Sequence, residues 1–270
     1  MTHNTTSEMP AVPTVPPVAM ARDARHVVTL TLNRPQAFNA LSEGLLSALQ
    51  NALDALADDP LLRVVVLAAA GKAYCAGHDL KEMRAEPSIA YYERLFTQCG
   101  RMMMSLQRLP VPVIARVQGI ATAAGCQLVA MCDLAVAASE ARFAVSGVNL
   151  GLFCSTPSVA LSRNVPRKAA FEMLVTGDFI SAAQALDKGL VNRVVPAERL
   201  DAEVESLVAS IVSKPRVAVA LGKRLFYRQL ETGIEAAYED AARTMACNMM
   251  EGSALEGVQA FIDKRPPVWP

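Results

Sequence analysis

The sequence predicts an α/β fold in which strand-like runs lead through small-residue loops into helix-like segments, with a helical region at the end. Three observations predict it. Apolar, β-rich runs recur at 26–32, 63–68 and 113–117. Two of them are followed by loops rich in Gly and Ala, Ala76-Gly77-His78-Asp79-Leu80 and Ala123-Ala124-Gly125-Cys126-Gln127. Beyond Arg167 the spacing of apolar residues is mostly helical.

Taken in order, 26–32 (HVVTLTL) alternates and is β-branched, so it is a strand, and Asn33-Arg34-Pro35 is a turn. Ser42 caps a helix over 43–57 whose Leu45, Leu46, Leu49, Leu53 and Leu56 share one face. The run 63–68 is continuously apolar, the pattern of a strand buried on both faces. Asp79 is placed to cap a short helix over 80–84. A longer helix spans 88–108, with Leu95, Met102, Met103 and Leu106 as its apolar stripe, and Pro110 and Pro112 end it. A strand over 113–117, the second loop and a helix over 125–131 follow, then short strands at 133–137 and 142–145. Gly189 stops a helix over 181–188, and 190–195 is one more strand. Helices over 198–213, 215–229, 234–251 and 254–264 complete the chain. The expected organisation is a Pro-rich disordered tail at 1–20, a core at 21–201 and a helical region at 202–270.

Composition narrows the function. Of the 270 residues, 52% are hydrophobic and 19% charged, as in a well-buried globular chain. A formal net charge of +0 and the lack of a basic stripe argue against nucleic acid as a partner. No apolar stretch approaches the ~20 residues that span a bilayer. The first 20 residues contain Pro10, Pro13, Pro16 and Pro17 but no Lys or Arg, unlike a secretory or transit signal. Six Cys without paired spacing read as reduced thiols, so the expected compartment is cytoplasmic. With three His, a His-rich metal site is not expected.

The two loops carry the chemistry. A helix start has N–H groups without intrahelical partners, and Gly and Ala leave them uncovered. Two such starts facing each other make a two-donor oxyanion hole.

Four stretches resemble the enoyl-CoA hydratase/isomerase (crotonase) superfamily. They are Asn33-Arg34-Pro35…Asn39-Ala40-Leu41, Cys75-Ala76-Gly77-His78-Asp79-Leu80-Lys81, Gly119…Ala124-Gly125-Cys126-Gln127…Cys132-Asp133, and Thr176-Gly177-Asp178-Phe179…Gly189-Leu190-Val191. The resemblance runs from about Val27 to Trp269. The stretch Gly151-Leu152-Phe153-Cys154-Ser155-Thr156-Pro157 further resembles a subgroup of hydratase domain-containing proteins. The resemblance implies a crotonase-like spiral of repeated ββα units with a C-terminal helical oligomerisation region, assembled as a homotrimer or a dimer of trimers. It implies acyl-CoA thioesters as ligands, with coenzyme A part of the substrate and no other cofactor. It places the two oxyanion-hole N–H groups on His78 and Ala124. It brings Gln36, Ala37, Ala76, Asp79, Leu80 and Lys81 near the CoA moiety, Lys72 or Lys81 near its phosphates, and Lys264 or Arg265 within reach from the C-terminal helices.

Two positions depart from the family pattern. Its hydratases hold water between two glutamates, and those positions fall on Gln127 and Gly147. An amide does not titrate near neutrality and glycine has no side chain, so hydration by that route is not expected. Lyase- or isomerase-type enolate chemistry is expected instead, with Gln127 and Ser155 as possible holders of a water. A non-catalytic acyl-CoA-binding protein and an acyl-CoA hydrolase are the alternatives. Asp79 is weighed as a helix cap rather than a catalytic acid, and Cys154 as a wall thiol without a base. His78 is weighed as an acid or base against the favoured reading, in which its N–H is used and its ring points away or contacts CoA. Tyr91-Tyr92 fit the acyl-pocket wall and packing equally, and Lys223-Arg224 reads as a solvated face, with contact of Lys223 to CoA phosphates as the alternative.

Overall fold

The computed structural model describes residues 15–269. Its elements in chain order begin with β1 (Val18–Arg22), β2 (Val27–Leu32), α1 (Glu43–Ala57), β3 (Val64–Ala69), β4 (Ala73–Cys75), α2 (Leu80–Ala85) and α3 (Ile89–Arg108). The middle of the chain forms β5 (Val113–Val117), β6 (Ile120–Thr122), α4 (Ala124–Met131), β7 (Leu134–Ala138), β8 (Arg142–Ala144), α5 (Ser155–Asn164) and α6 (Arg167–Thr176). Then come β9 (Ile180–Ser181), α7 (Ala182–Asp187), β10 (Arg193–Val195), α8 (Leu200–Val212), α9 (Arg216–Gln229), α10 (Ile234–Met249) and α11 (Gly252–Ile262).

The strands form two sheets, one ordered β1-β2-β3-β5-β7-β10 and the other β4-β6-β8-β9. Each turn of the chain lays one strand in the first sheet and the next in the second, then makes a helix: β3-β4-α2, β5-β6-α4 and β7-β8-α5. This is the ββα spiral that the resemblance implies. The first sheet is parallel from β2 onward and the second parallel up to β8, as crossovers of this kind require.

The apolar run of β3 is explained by two cores. Val65, Leu67 and Ala69 face the main core with the leucines of α1 and the methionines of α3. Val64 and Val66 face the other way, against Leu200, Val204 and Val208 of α8. A strand covered on both faces has no polar side to show. α8 straddles the boundary expected near Asp201 and packs on this sheet face with β3, β5 and β7.

Local signals are realised where they were strongest. The Ser42 hydroxyl accepts from Leu45 N at 3.1 Å, and all five leucines of α1 are buried. Ser88 caps α3 in the same way, and Ser181 with Gln184 forms a capping box on α7. Two expectations change. β1 begins at Val18, inside the stretch expected as tail, and pairs antiparallel with β2; residues 1–14 of that tail lie outside the described residues. β4 and β6 fall in stretches expected only as loop, and three residues are too few to show an alternation. Ser155-Thr156-Pro157 form the first turn of α5.

Candidate active site

The first loop is braced before it is functional. Buried Asn39 accepts from Arg34 N at 2.9 Å and donates to Ala70 O (2.8 Å) and Ala73 O (2.9 Å). The Arg34 guanidinium donates to Ala40 O at 2.7 Å and to the Asp79 carboxylate at 3.2 Å. The other Asp79 oxygen accepts from Lys81 N at 3.2 Å and caps α2, the role expected of it. Ala76 N donates to Phe38 O (3.1 Å) and Asp79 N to Leu41 O (3.3 Å). Between them, His78 N donates to no acceptor among the described residues.

The second loop meets the first at Gly77. Gly77 has φ +93°, and a Cβ there would sit 2.9 Å from Ala123 Cβ and 3.4 Å from Ala124 N. Only a glycine allows this turn and this approach. Ala123, at φ +50°, donates its N–H to Ala144 O at 3.0 Å and turns the chain into α4. Ala124 N, at the helix start, has no partner among the described residues. Gly125 follows because a Cβ there would lie 2.1 Å from Cys75 O of β4. Two unpaired N–H groups therefore stand on facing loops, and Ala76, His78, Ala123 and Ala124 all line one cavity of about 220 Å³.

The rest of the wall is mostly apolar. Met83 and Phe96 come from α2 and α3, and Leu150, Leu152 and Phe153 from the segment leading to α5. Its polar side chains are His78, Ser146, Cys154, Ser155 and Thr156, and no Asp or Glu among the described residues lines it. The Ser146 hydroxyl pairs with Thr122 at 2.8 Å. The Cys154 sulfur accepts from Gly147 N at 3.3 Å, and burial pushes its thiol above the ordinary range. His78 is among the lining residues, and both nitrogens of its ring are buried. It meets Phe96 edge-on with centroids 5.3 Å apart, and neither ring nitrogen has a partner. Burial among apolar groups lowers the imidazole to about 4, so it is neutral at pH 7.

The remaining candidates separate. Gly147 lines the cavity, and a Cβ there would lie 2.5 Å from Leu152 O and 2.7 Å from Cys154 Sγ. The space of a longer side chain is taken by the 152–154 backbone. Gln127 is 5% exposed within α4 but is not among the lining residues, and its Oε1 accepts no hydrogen bond. Ser155 lines the cavity, with its hydroxyl 3.4 Å from Phe153 O. Leu80 lies at the wall and is 53% exposed, whereas Gln36, Ala37 and Lys81 lie outside it. Lys264 is exposed beyond α11, and no described residue of α9, α10 or α11 lines the cavity.

Other expectations are corrected. Tyr91 is buried and Tyr92 donates its hydroxyl to Met83 O at 3.0 Å, so both pack rather than line the pocket. Phe96, one helical turn beyond Tyr92, takes that place; an i, i+4 reading of α3 would have found it. Lys223 is not on a solvated face. Its ammonium donates to Leu106 O (3.0 Å), Val111 O (2.9 Å) and the Asp133 carboxylate (2.6 Å), and Tyr227 donates to the same carboxylate at 2.7 Å.

The two-sheet ββα spiral thus sets unpaired N–H groups on two facing loops above an apolar cavity. A family model described as enoyl-CoA hydratase/isomerase matches residues 22–270, and the chain belongs to that family. It is 47% identical over 253 residues to the enoyl-CoA hydratase domain-containing protein 3, mitochondrial, of Xenopus laevis, covering 94% of this chain and 86% of that protein. The human protein of the same name is 45% identical over 249 residues, with 92% and 82% covered. A crystal structure described as an enoyl-CoA hydratase of Mycobacterium smegmatis superposes with a TM-score of 0.94 at 70% identity, covering 94% and 99% of the two chains. That of human enoyl coenzyme A hydratase domain-containing protein 3 superposes with a TM-score of 0.90 at 45% identity, covering 94% and 100%.

Proposed function

We propose that the chain binds an acyl-CoA thioester with its acyl group in the cavity and its thioester oxygen between His78 N–H and Ala124 N–H. The observation that carries this reading is the pair of unpaired N–H groups on loops that touch at Gly77. Both donors belong to the backbone, so they stabilise charge on an enolate oxygen without reorganising. The reaction is of the lyase or isomerase type and proceeds through that enolate. Hydration between two carboxylates is not part of it, because no Asp or Glu among the described residues lines the cavity. Coenzyme A enters with the substrate and no further cofactor is invoked. Exposed Lys72 and Lys81 supply positive charge for CoA phosphates.

The lack of a carboxylate in the wall also favours a second reading, a non-catalytic acyl-CoA-binding protein. An acyl-CoA hydrolase has less support, since neither Ser155 nor Cys154 has a base beside it. The compartment expected from the unpaired cysteines is cytoplasmic, whereas the vertebrate relatives are named as mitochondrial.

Calorimetric titration with butyryl-CoA and mass-resolved turnover of crotonyl-CoA test the reading together. Binding without gain of one water is the expected result. Rapid addition of water would overturn the exclusion of hydration, and no binding would overturn the acyl-CoA reading itself.

A further inference from the structure

We infer that the cavity selects an acyl thioester whose chain carries a neutral hydroxyl beyond the β-carbon, and that the Ser155 and Thr156 hydroxyls receive it. The inference rests on the acyl-CoA reading above and adds to it a substrate class and the residues that discriminate.

The polar part of the wall is concentrated. Cys154, Ser155 and Thr156 are consecutive where α5 starts, and all three line the cavity. Most other polar groups nearby are already spent. The Ser146 and Thr122 hydroxyls satisfy each other at 2.8 Å, and the Cys154 sulfur is engaged by Gly147 N. Ser158, which does not line the cavity, returns its hydroxyl to Ser155 O at 2.7 Å, as hydroxyls on helices commonly do. The two hydroxyls at the wall behave differently. That of Ser155 reaches only Phe153 O, at a long 3.4 Å, and that of Thr156 has no partner among the described residues. Neither residue is sealed from solvent: Ser155 is exposed and Thr156 half-buried.

Their place along the ligand follows from the packing. The proposed thioester oxygen lies between His78 N–H and Ala124 N–H. Ala123 N donates to Ala144 O at 3.0 Å, which sets Ser146 and Gly147 beside that loop. Gly147 in turn abuts Cys154, since a Cβ on it would lie 2.7 Å from the Cys154 sulfur. Ser155 and Thr156 stand one step further along the wall. The α- and β-carbons therefore pass Gly147, and the chain meets the two hydroxyls beyond them.

The rest of the wall decides the charge of the group they receive. Met83, Phe96, Leu152 and Phe153 are apolar, and no Lys, Arg, Asp or Glu among the described residues lines the cavity. A carboxylate or ammonium on the acyl chain would leave water without an opposite charge to meet. A neutral hydroxyl gives up only its hydrogen bonds to water, and Ser155 and Thr156 return both kinds, since each hydroxyl donates and accepts. A plain alkyl end covers the same two hydroxyls and offers them nothing, so their lost solvation counts against it. Discrimination comes from that difference.

Calorimetric titration of three pairs tests this: butyryl-CoA with 4-hydroxybutyryl-CoA, valeryl-CoA with 5-hydroxyvaleryl-CoA, and hexanoyl-CoA with 6-hydroxyhexanoyl-CoA. The proteins are wild type, the double variant Ser155→Ala with Thr156→Val, and Thr156→Ser. Wild type should bind the hydroxylated member of at least one pair about tenfold more tightly than its alkyl partner. The ratio should fall to within about twofold of unity in the double variant and persist in Thr156→Ser, which keeps a hydroxyl. A ratio of this kind does not move with packing alone. Thermal melts check that the variants are folded; if the double variant is not, the two single variants replace it, and each should lower the ratio. Wild type binding both members of every pair equally would overturn the inference and leave the acyl-CoA reading intact. A preference that survives loss of both hydroxyls would assign it to another group and also overturn it. Absence of binding by all six thioesters would remove both.

Discussion

Burying a neutral imidazole ties stability to pH in a direction that can be worked out. The His78 ring is held at about 4, against an ordinary value near 6.5 in an unfolded chain. Between those values the unfolded state binds the extra proton, so folding stability rises with pH across this window. The contribution is complete above pH 6.5 and is lost as pH falls toward 4, by up to about 3 kcal/mol. Denaturant unfolding at pH 7.5 and 4.5 should show a larger acid loss for wild type than for His78→Ala; parallel losses would mean the ring is protonated in the fold. Gly147 makes a second prediction at this scale. Its Cβ position lies 2.5 Å from a carbonyl oxygen, so Gly147→Ala should cost about 1–3 kcal/mol in urea unfolding, the range for overpacking. A carboxylate cannot be restored by substitution there without moving 152–154, and Gln127→Glu with Gly147→Glu should therefore bring no hydration of crotonyl-CoA. Fast hydration by that double variant would show that the segment yields easily.

At the scale of elements, the central tie is the cluster around Asp133. Lys223 of α9 binds the carbonyls of Leu106 and Val111 and the carboxylate of Asp133, whose oxygens also accept from Val113 N and Tyr227. The side chains are 7% and 13% exposed, so removing one charge strands the other in an apolar setting. Lys223→Ala is expected to cost about 3–5 kcal/mol, read as a lower urea midpoint, and a loss under 1 kcal/mol would mean water replaces the ammonium. This tie was not legible in the sequence, because Lys223 sits in an amphipathic helix where a lysine usually meets water. Elements with a local cause were legible: Ser42 and Asp79 announce their helices, and the β3 run announces burial on both faces. The His78 and Ala124 positions were legible through small residues and family resemblance. The direction of the His78 ring was not, since it depends on Phe96 from a different element.

The whole molecule leaves its C-terminal helices incomplete as a single chain. α9 and α10 bury no residue, and α11 buries only Ser253 and Ala260. Phe226, Tyr238, Met245 and Phe261 are 56%, 73%, 71% and 86% exposed. Apolar side chains in such number on adjoining helices are the mark of an interface rather than of a solvated surface. The residue pattern also fits: α10 packs on α9, yet its Ile234, Tyr238 and Met245 stay exposed. The assembly expected from the family resemblance, a homotrimer or a dimer of trimers, would supply that cover by symmetry. Light scattering coupled to size exclusion should therefore give three or six times the 28.9 kDa chain mass. A charge placed on the uncovered face, Tyr238→Asp with Phe261→Asp, should shift the mass toward the single chain and lower the melting temperature, since burial of those rings is then lost. If wild type runs as a monomer at micromolar concentration, the face serves another partner. In that case Lys264, beyond α11, cannot reach a neighbour's cavity, and Lys264→Ala should leave butyryl-CoA affinity unchanged.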